Sequence, residues 1–274
     1  MPFTLSHAAA ALPFRRTRLV FSALVMGTFA PDLEYFLRLR AGGGWGHKIS
    51  GAFCLSLPLG LIALWLFHRT VKAPATALLP IPLQRRLAPY LRRFQFGGLS
   101  RAGLSRFALI VFSLLVGIAT HIFWDDFTHH SSFVFHHWAL LSRVVKLPVV
   151  GWTPYYALLQ YLSSIGGIVV LALWFMAWYK HAAPAPQRLA SPFSPGQRFL
   201  IFSSMATVAL LGAMARGTIT LSGTSHRLSN FAGGFIITFV ALCWWQLVVW
   251  GALLRLRTAY FSRASRNRPQ TLSS

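Results

Sequence analysis

Acidic side chains are almost missing from this sequence. Four of its 274 residues are Asp or Glu, against 26 Lys and Arg, and all four fall in two short clusters, Asp32 with Glu34 and Asp125 with Asp126. Charged residues of either sign make up only 11%, while 55% are hydrophobic and the mean hydropathy is +0.55. That balance excludes a soluble globule and leaves an integral membrane protein. Cysteine is scarce as well. Cys54 and Cys243 both sit inside apolar runs without paired spacing, so they are packing residues that carry no redox-compartment signal. The net charge of +22 would point to nucleic acid in a soluble protein. Here the basic residues lie between apolar runs, no nucleic-acid motif accompanies them, and the expected partners are anionic lipid headgroups.

The apolar runs set the fold class: all-α, a polytopic transmembrane helix bundle of about six spans. They cover Leu19 to Leu37, Ile49 to Phe67, Phe107 to Trp124, Tyr155 to Tyr179, Phe199 to Ala215 and Phe231 to Leu254; crossing a bilayer takes about 20 residues. Arg15, Arg16 and Arg18 before Leu19 resemble the start of a signal peptide, but Pro31 follows the only small-residue cleavage point, which predicts an uncleaved first span. Residues 1–179 form the half of the bundle that carries the site, 180–198 a Pro-rich polar linker, 199–254 two further helices, and 255–274 a basic disordered tail. Pro58 predicts a kink in the second span. Leu83, Leu87, Leu91 and Phe94, with arginines between them, predict a surface helix interrupted by Pro89.

With both termini in the cytoplasm of a bacterial inner membrane, nineteen of the 26 Lys and Arg fall on the inner side, as the positive-inside rule requires. The same count brings Asp32, Glu34, His47 and the stretch from His121 to His137 to the outer face. It leaves His7 across the membrane from them, unless residues 2–14 form a half-helix dipping inward beside the first span.

The third span ends in Thr120-His121-Ile122-Phe123-Trp124-Asp125-Asp126-Phe127-Thr128-His129-His130. His121 and Asp125 are four apart, so on a helix they share one face about 6 Å apart along the axis. An imidazole nitrogen and a carboxylate oxygen so placed can hold one metal ion together. The plainer reading is that Asp125 and Asp126 mark the membrane boundary. Against it, an Asp near a helix C-terminus opposes the macrodipole, and an ionisable group within a span costs about 2.5–3.5 kcal/mol on insertion scales. Pro31-Asp32 reads either as a helix stop with a cap or, beside His121 and Asp125, as a third ligand. Glu34 suits a general base, a second-metal ligand or a partner for Arg38 or Arg40. His47 opens the second span after a glycine turn at 41–46, and its company makes it a ligand candidate. His129, with His130, His136 and His137, offers further ligands, a proton relay or a lined mouth. His68, His181 and His226 are interfacial.

The start Met1-Pro2-Phe3-Thr4-Leu5-Ser6-His7, then Ala30-Pro31-Asp32-Leu33-Glu34, then Thr120-His121-Ile122-Phe123-Trp124-Asp125 resembles an uncharacterised family of bacterial multi-pass membrane proteins. The order His, Pro-Asp, His, His-x-x-x-Asp is more distantly similar to membrane-bound metal-dependent hydrolases and the zinc-dependent phospholipase C group. That similarity implies ligands at His7, Asp32, His47, His121 and Asp125, and it alone brings in His7. One departure is that His47 is followed by Lys48-Ile49-Ser50 where those hydrolases carry His-Arg-x-x-x-His-Ser.

The expectation is a metal-dependent hydrolase acting at the membrane interface on a lipid or lipid-linked phosphoester. A divalent ion, zinc in type, would activate water, with Glu34 or Asp126 taking the proton. The alternative is a transporter or ion-handling protein using the same residues as a proton or metal relay. The ionisable residues gather at one face, which favours the first.

Overall fold

In a computed structural model of the chain, residues 3–40, 44–130, 132–148, 151–185, 192–220 and 227–266 are described. The glycines at 42 and 43, the centre of the Pro-rich linker (186–191), His226 and the tail beyond 266 lie outside them. The described chain is nearly all helix. It opens with a 3₁₀ helix, Thr4–Arg16, followed by α1 (Phe21–Phe29), a 3₁₀ turn (Ala30–Asp32) and α2 (Leu33–Arg38). Then come α3 (Ile49–Leu78), α4 (Ile81–Leu87), α5 (Arg101–Thr128), the short α6 (Phe133–His137), α7 (Tyr155–His181), α8 (Pro195–Thr220) and α9 (Arg227–Arg266).

Five of these helices, α3, α5, α7, α8 and α9, are long and apolar enough to cross a membrane. The most apolar stretch of α7 has a mean hydropathy of 1.8, yet none of it is buried inside the protein. A helix apolar all round and unburied by its own chain is built for a lipid surround.

The expected first span, Leu19 to Leu37, is where the count differs from six. It is not one continuous helix: α1 ends at Phe29 and the chain tightens into the 3₁₀ turn through Pro31 before α2 begins. Proline has no N–H to continue the helical ladder. The kink expected near Pro58 has its counterpart in a π-helical turn at Ala52–Ser56, a usual way for a helix to absorb a break in its hydrogen bonding. Pro89 starts a 3₁₀ turn, Ala88–Leu91, just after α4. A two-stranded antiparallel hairpin, β1 (Val144–Leu147) and β2 (Gly151–Pro154), sits between α6 and α7, pairing Val144 with Pro154 and Leu147 with Gly151.

The described chain divides into two compact units. Unit 1 holds residues 1–38, 42–64 and 94–182; unit 2 holds 39–41, 65–93 and 183–274. All four carboxylates belong to unit 1.

Unit 1 is organised by a parallel pairing of α1 with α5 at one constant offset. The Val20 N–H donates to Ser113 Oγ at 2.9 Å, and two turns on, His121 Nδ1 lies 2.7 Å from the Thr28 carbonyl oxygen; both pairs are 93 positions apart in sequence. Between them Gly27 faces the Leu114 carbonyl, and Gly117 faces the Leu24 carbonyl, so closely that a Cβ on either glycine would collide. Small residues let two membrane helices approach backbone to backbone where no hydrophobic force drives them together. The N-terminal 3₁₀ helix lies against α7, its Phe3 N–H donating to Ser164 Oγ at 3.0 Å, and Gly167 leaves room for Ser6. Ala30, Ala52 and Ile118 form a small core beside these contacts, one helical turn from His121.

In unit 2, α8 and α9 run antiparallel. The side chain of Leu242 packs on Gly212 and the ring of Phe231 on Gly217, while Gln246 Nε2 donates to the Met205 carbonyl at 3.1 Å.

Candidate metal centre

The register of α1 on α5 decides the state of His121. A carbonyl oxygen only accepts, so at 2.7 Å from Thr28 the Nδ1 of His121 carries a proton, and its Nε2 is turned to the cluster. Pro31, three residues beyond Thr28, has no N–H to offer that carbonyl. One proline thus turns the chain and leaves a carbonyl that fixes the tautomer of a histidine on another helix. Backbone carbonyls orient metal-binding histidines in this way.

Around His121 Nε2 four elements deliver side chains. From the second half of the 3₁₀ turn comes Asp32, with Oδ1 3.6 Å away. One helical turn along α5 comes Asp125, with Oδ2 3.4 Å away. The loop before α3 brings His47, whose Nε2 is 3.2 Å from His121 Nε2 and 3.4 Å from both Asp32 Oδ1 and Asp125 Oδ2. The N-terminal helix brings His7, its Nε2 3.4 Å from the other Asp125 oxygen and its ring stacked on that of His121. His7, Asp32, His121 and Asp125 are at most 4% exposed.

The placement of His7 corrects the simple topology, which put it on the opposite membrane face. Residues 4–16 are helical, as the half-helix expected over 2–14 required, and bring His7 to the cluster. A 3₁₀ helix has three residues per turn, so Thr4 and His7 lie on one face and both reach the cluster. Thr4 Oγ1 donates to Asp32 Oδ2 at 2.6 Å, leaving Oδ1 directed at the histidines.

Supporting contacts hold His47 too. Tyr35, three residues beyond Asp32 and buried, places its hydroxyl 3.4 Å from His47 Nδ1 and stacks on the imidazole. Glu34 pairs with Arg38 Nη1 at 2.6 Å and accepts the Gly46 N–H at 3.3 Å, and Ser56 Oγ donates to the Gly46 carbonyl at 2.9 Å. Glu34 is therefore engaged in fixing the loop that presents His47. Asp126 is half-buried on α5 beside Asp125. The Nδ1 of His129 lies 2.9 Å from the Asp125 carbonyl and 3.7 Å from Asp125 Oδ2, at the edge of the cluster. His130 and Tyr156 approach each other, and His137 bonds the Phe133 carbonyl; neither histidine belongs to the donor groups.

Two readings of this cluster can be separated by distance. A buried ion-pair network draws N–H···O contacts to about 2.7–2.9 Å. Donors bound about 2.0–2.2 Å from one tetrahedral ion stand about 3.4 Å from each other. The five separations among His47, His121, Asp32 and Asp125 given above run from 3.2 to 3.6 Å. Four buried atoms in the same place, His7 Nε2, Asp32 Oδ1 and both oxygens of Asp125, have no hydrogen-bond partner, which costs about 1–3 kcal/mol for each group left so. The two carboxylates also carry the charge that a divalent cation neutralises. His7, His121 and Asp125, and equally Asp32, His47 and His121, bring one donor atom each within 4.8 Å of one another and could hold an ion. The two groups share His121.

Helix spacing points to His121 and Asp125, and their company to Asp32 and His47. Neither points to Thr4, Tyr35, Ser56 or the Thr28 carbonyl. Thr4 and Tyr35 each stand three residues from a ligand candidate, the one signal that could have found them.

No curated protein and no solved structure matches this chain. The family comparison matches residues 1–252, nearly the whole length and every donor of the cluster, and the chain accordingly belongs to the family described as Domain of unknown function (DUF4184).

Proposed function

We propose that this protein is a metal-dependent hydrolase of the bacterial inner membrane, acting on a lipid or lipid-linked phosphoester. The observation that carries the reading is the set of four unpartnered donor atoms buried beside His121, two of which, Asp32 Oδ1 and Asp125 Oδ2, lie 3.6 and 3.4 Å from its Nε2. Asp32, His47, His121 and Asp125 would hold the ion, with zinc the metal that suits two imidazoles and two carboxylates. When bound, the ion supplies Lewis-acid polarisation of a phosphoryl or carbonyl oxygen and a water of lowered pKa.

The rest of the work falls to the chain's own groups. His121 keeps its Nδ1 proton on Thr28, which turns its Nε2 toward Asp32, His47 and Asp125. Thr4 turns Asp32, and Tyr35 with the Glu34 latch turns His47. Burial and the neighbouring His121 push His7 down to about 4, so at neutral pH its Nε2 is a lone pair beside Asp125 Oδ1. A group lowered that far is a poor proton acceptor at neutral pH, which leaves Asp126 or Glu34 to take up the proton. These are the two carboxylates outside the donor set, and variants at each separate their contributions. The helices that face lipid give a lipid-borne substrate a lateral route.

The test is hydrolysis of phospholipids and lipid-linked phosphates by purified protein, with and without added zinc, beside His121→Ala and His7→Ala. Zinc-dependent turnover lost in His121→Ala supports the proposal. Turnover unchanged in His121→Ala, or metal-dependent flux in proteoliposomes without any turnover, overturns it in favour of a different catalyst or a transporter.

A further inference from the structure

α5 and α7 are each long and apolar enough to cross a membrane, and no other such helix lies between them among the described residues. The connection from His129 to Pro154 therefore stays on one membrane face. His121 and Asp125, in the last two turns of α5, put the metal centre toward the same face.

Strand alternation gives the hairpin in that connection two faces. Val145, Leu147 and Thr153 turn to the protein, Thr153 being buried. Val144, Lys146 and Trp152 turn away from it. Val144 is 54% and Trp152 70% exposed, and Lys146 stands directly opposite Trp152 in the register. Arg143, also exposed, precedes β1. The level of this outward face follows from α7. Its 27 residues make a helix about 40 Å long, longer than a hydrocarbon core of about 30 Å and close to the thickness of a bilayer with its headgroups. Tyr155 and Tyr156 at its start, and Trp178 and Tyr179 near its end, are aromatic residues that favour the two membrane–water boundaries. The Tyr155 N–H donates to the Arg143 carbonyl at 2.9 Å, so the ladder ends on the first residue of α7. Trp152 is three residues from that point, about 10 Å of strand.

We propose that the outward face of the hairpin is a membrane-surface anchor. Trp152 and Val144 enter the headgroup layer of the leaflet beside the metal centre, and Lys146 with Arg143 meets the phosphates of anionic phospholipids. Apolar and aromatic side chains beside cations are the composition of a surface that lies in that layer. The occupant is lipid rather than protein because the hairpin continues directly into α7, whose most apolar stretch is nowhere buried by the chain. The proposal is independent of the chemistry of the metal centre.

It is tested on the full chain in vesicles of phosphatidylglycerol and phosphatidylcholine, with Cys54→Ser and Cys243→Ser removing the two native thiols and a nitroxide on Val144→Cys. Dissolved oxygen is expected to relax this label more than a water-soluble nickel chelate does. Adding Trp152→Ser is expected to shift the preference toward nickel. Each cation near an anionic surface contributes about fivefold to binding, so Lys146→Glu is expected to cause the same shift here and not in pure phosphatidylcholine. A label that favours nickel from the outset puts the face in water, and a label that neither probe reaches means that protein covers it; either result overturns the proposal. So does a preference that both substitutions leave unchanged, or an equal effect of Lys146→Glu in the two kinds of vesicle.

Discussion

The imidazole of His7 lies flat against that of His121, with ring centroids 3.9 Å apart and planes 22° from parallel. The beginning of the chain is thereby part of the centre built at the end of α5. His7→Ala removes the stack and the contact to Asp125 Oδ1, and Thr4→Val removes the hydrogen bond that turns Asp32. Each is expected to weaken zinc binding about 10–100-fold, the range for groups that support metal ligands, measured by competition with a chromogenic chelator. Unchanged affinity in both would place the N-terminal helix outside the centre.

Pro31 offers a test of the tautomer argument. Pro31→Ala supplies an N–H that competes for the Thr28 carbonyl and releases His121 Nδ1. About tenfold weaker zinc binding is expected, with helical content unchanged by circular dichroism. Full affinity would show that Thr28 does not hold the ring.

Two adjacent glycines of α7 should behave oppositely. Gly167 has Ser6 against it, whereas nothing lies within 4 Å of a Cβ at Gly166. Gly167→Ala is expected to destabilise by about 1–3 kcal/mol through overpacking and to weaken zinc binding by shifting the neighbour His7. Gly166→Ala should be neutral or slightly stabilising, since Ala is the better helix former. Thermal unfolding in detergent reads both, and equal melting temperatures would contradict the packing of the N-terminal helix.

The ion-free centre should respond to pH with a definite sign. Burial by itself would lower His47, but Asp125 and Asp32 beside its Nε2 outweigh that and raise it to about 9. A raised histidine contributes stability that is complete below its unfolded value of about 6.5 and is lost as pH rises through about 9. Zinc must displace that proton. The ion-free protein should therefore lose stability between these limits while zinc affinity rises. Calorimetric titration across that window, showing proton release that fades toward its upper end, checks the prediction; affinity flat with pH would contradict it.

What was legible in the sequence follows from which contacts are local. His121 and Asp125 sit one turn apart on a long helix, so spacing alone exposed them, and Pro31-Asp32 was visible as a break followed by a carboxylate. The depth of the N-terminal segment was not, because Thr4–Arg16 is too short to cross a bilayer and a three-residue period leaves no hydropathy signature. Tyr35 looked like one more apolar residue of a first span that Pro31 in fact divides. The role of Thr28 belongs to its carbonyl, which no residue type announces. β1 and β2 are four residues each, with two valines on β1 and Gly151 at φ +80° opening β2, too little to mark a strand in the sequence.

The central claim is that unit 1 binds a metal ion through Asp32, His47, His121 and Asp125. Elemental mass spectrometry of detergent-purified wild type beside Asp32→Ala and His121→Ala tests it most directly. The account predicts about one equivalent of zinc per chain in wild type, lost in both variants while each stays folded and monodisperse. Wild type free of metal after zinc repletion, or variants that retain it in full, would contradict it.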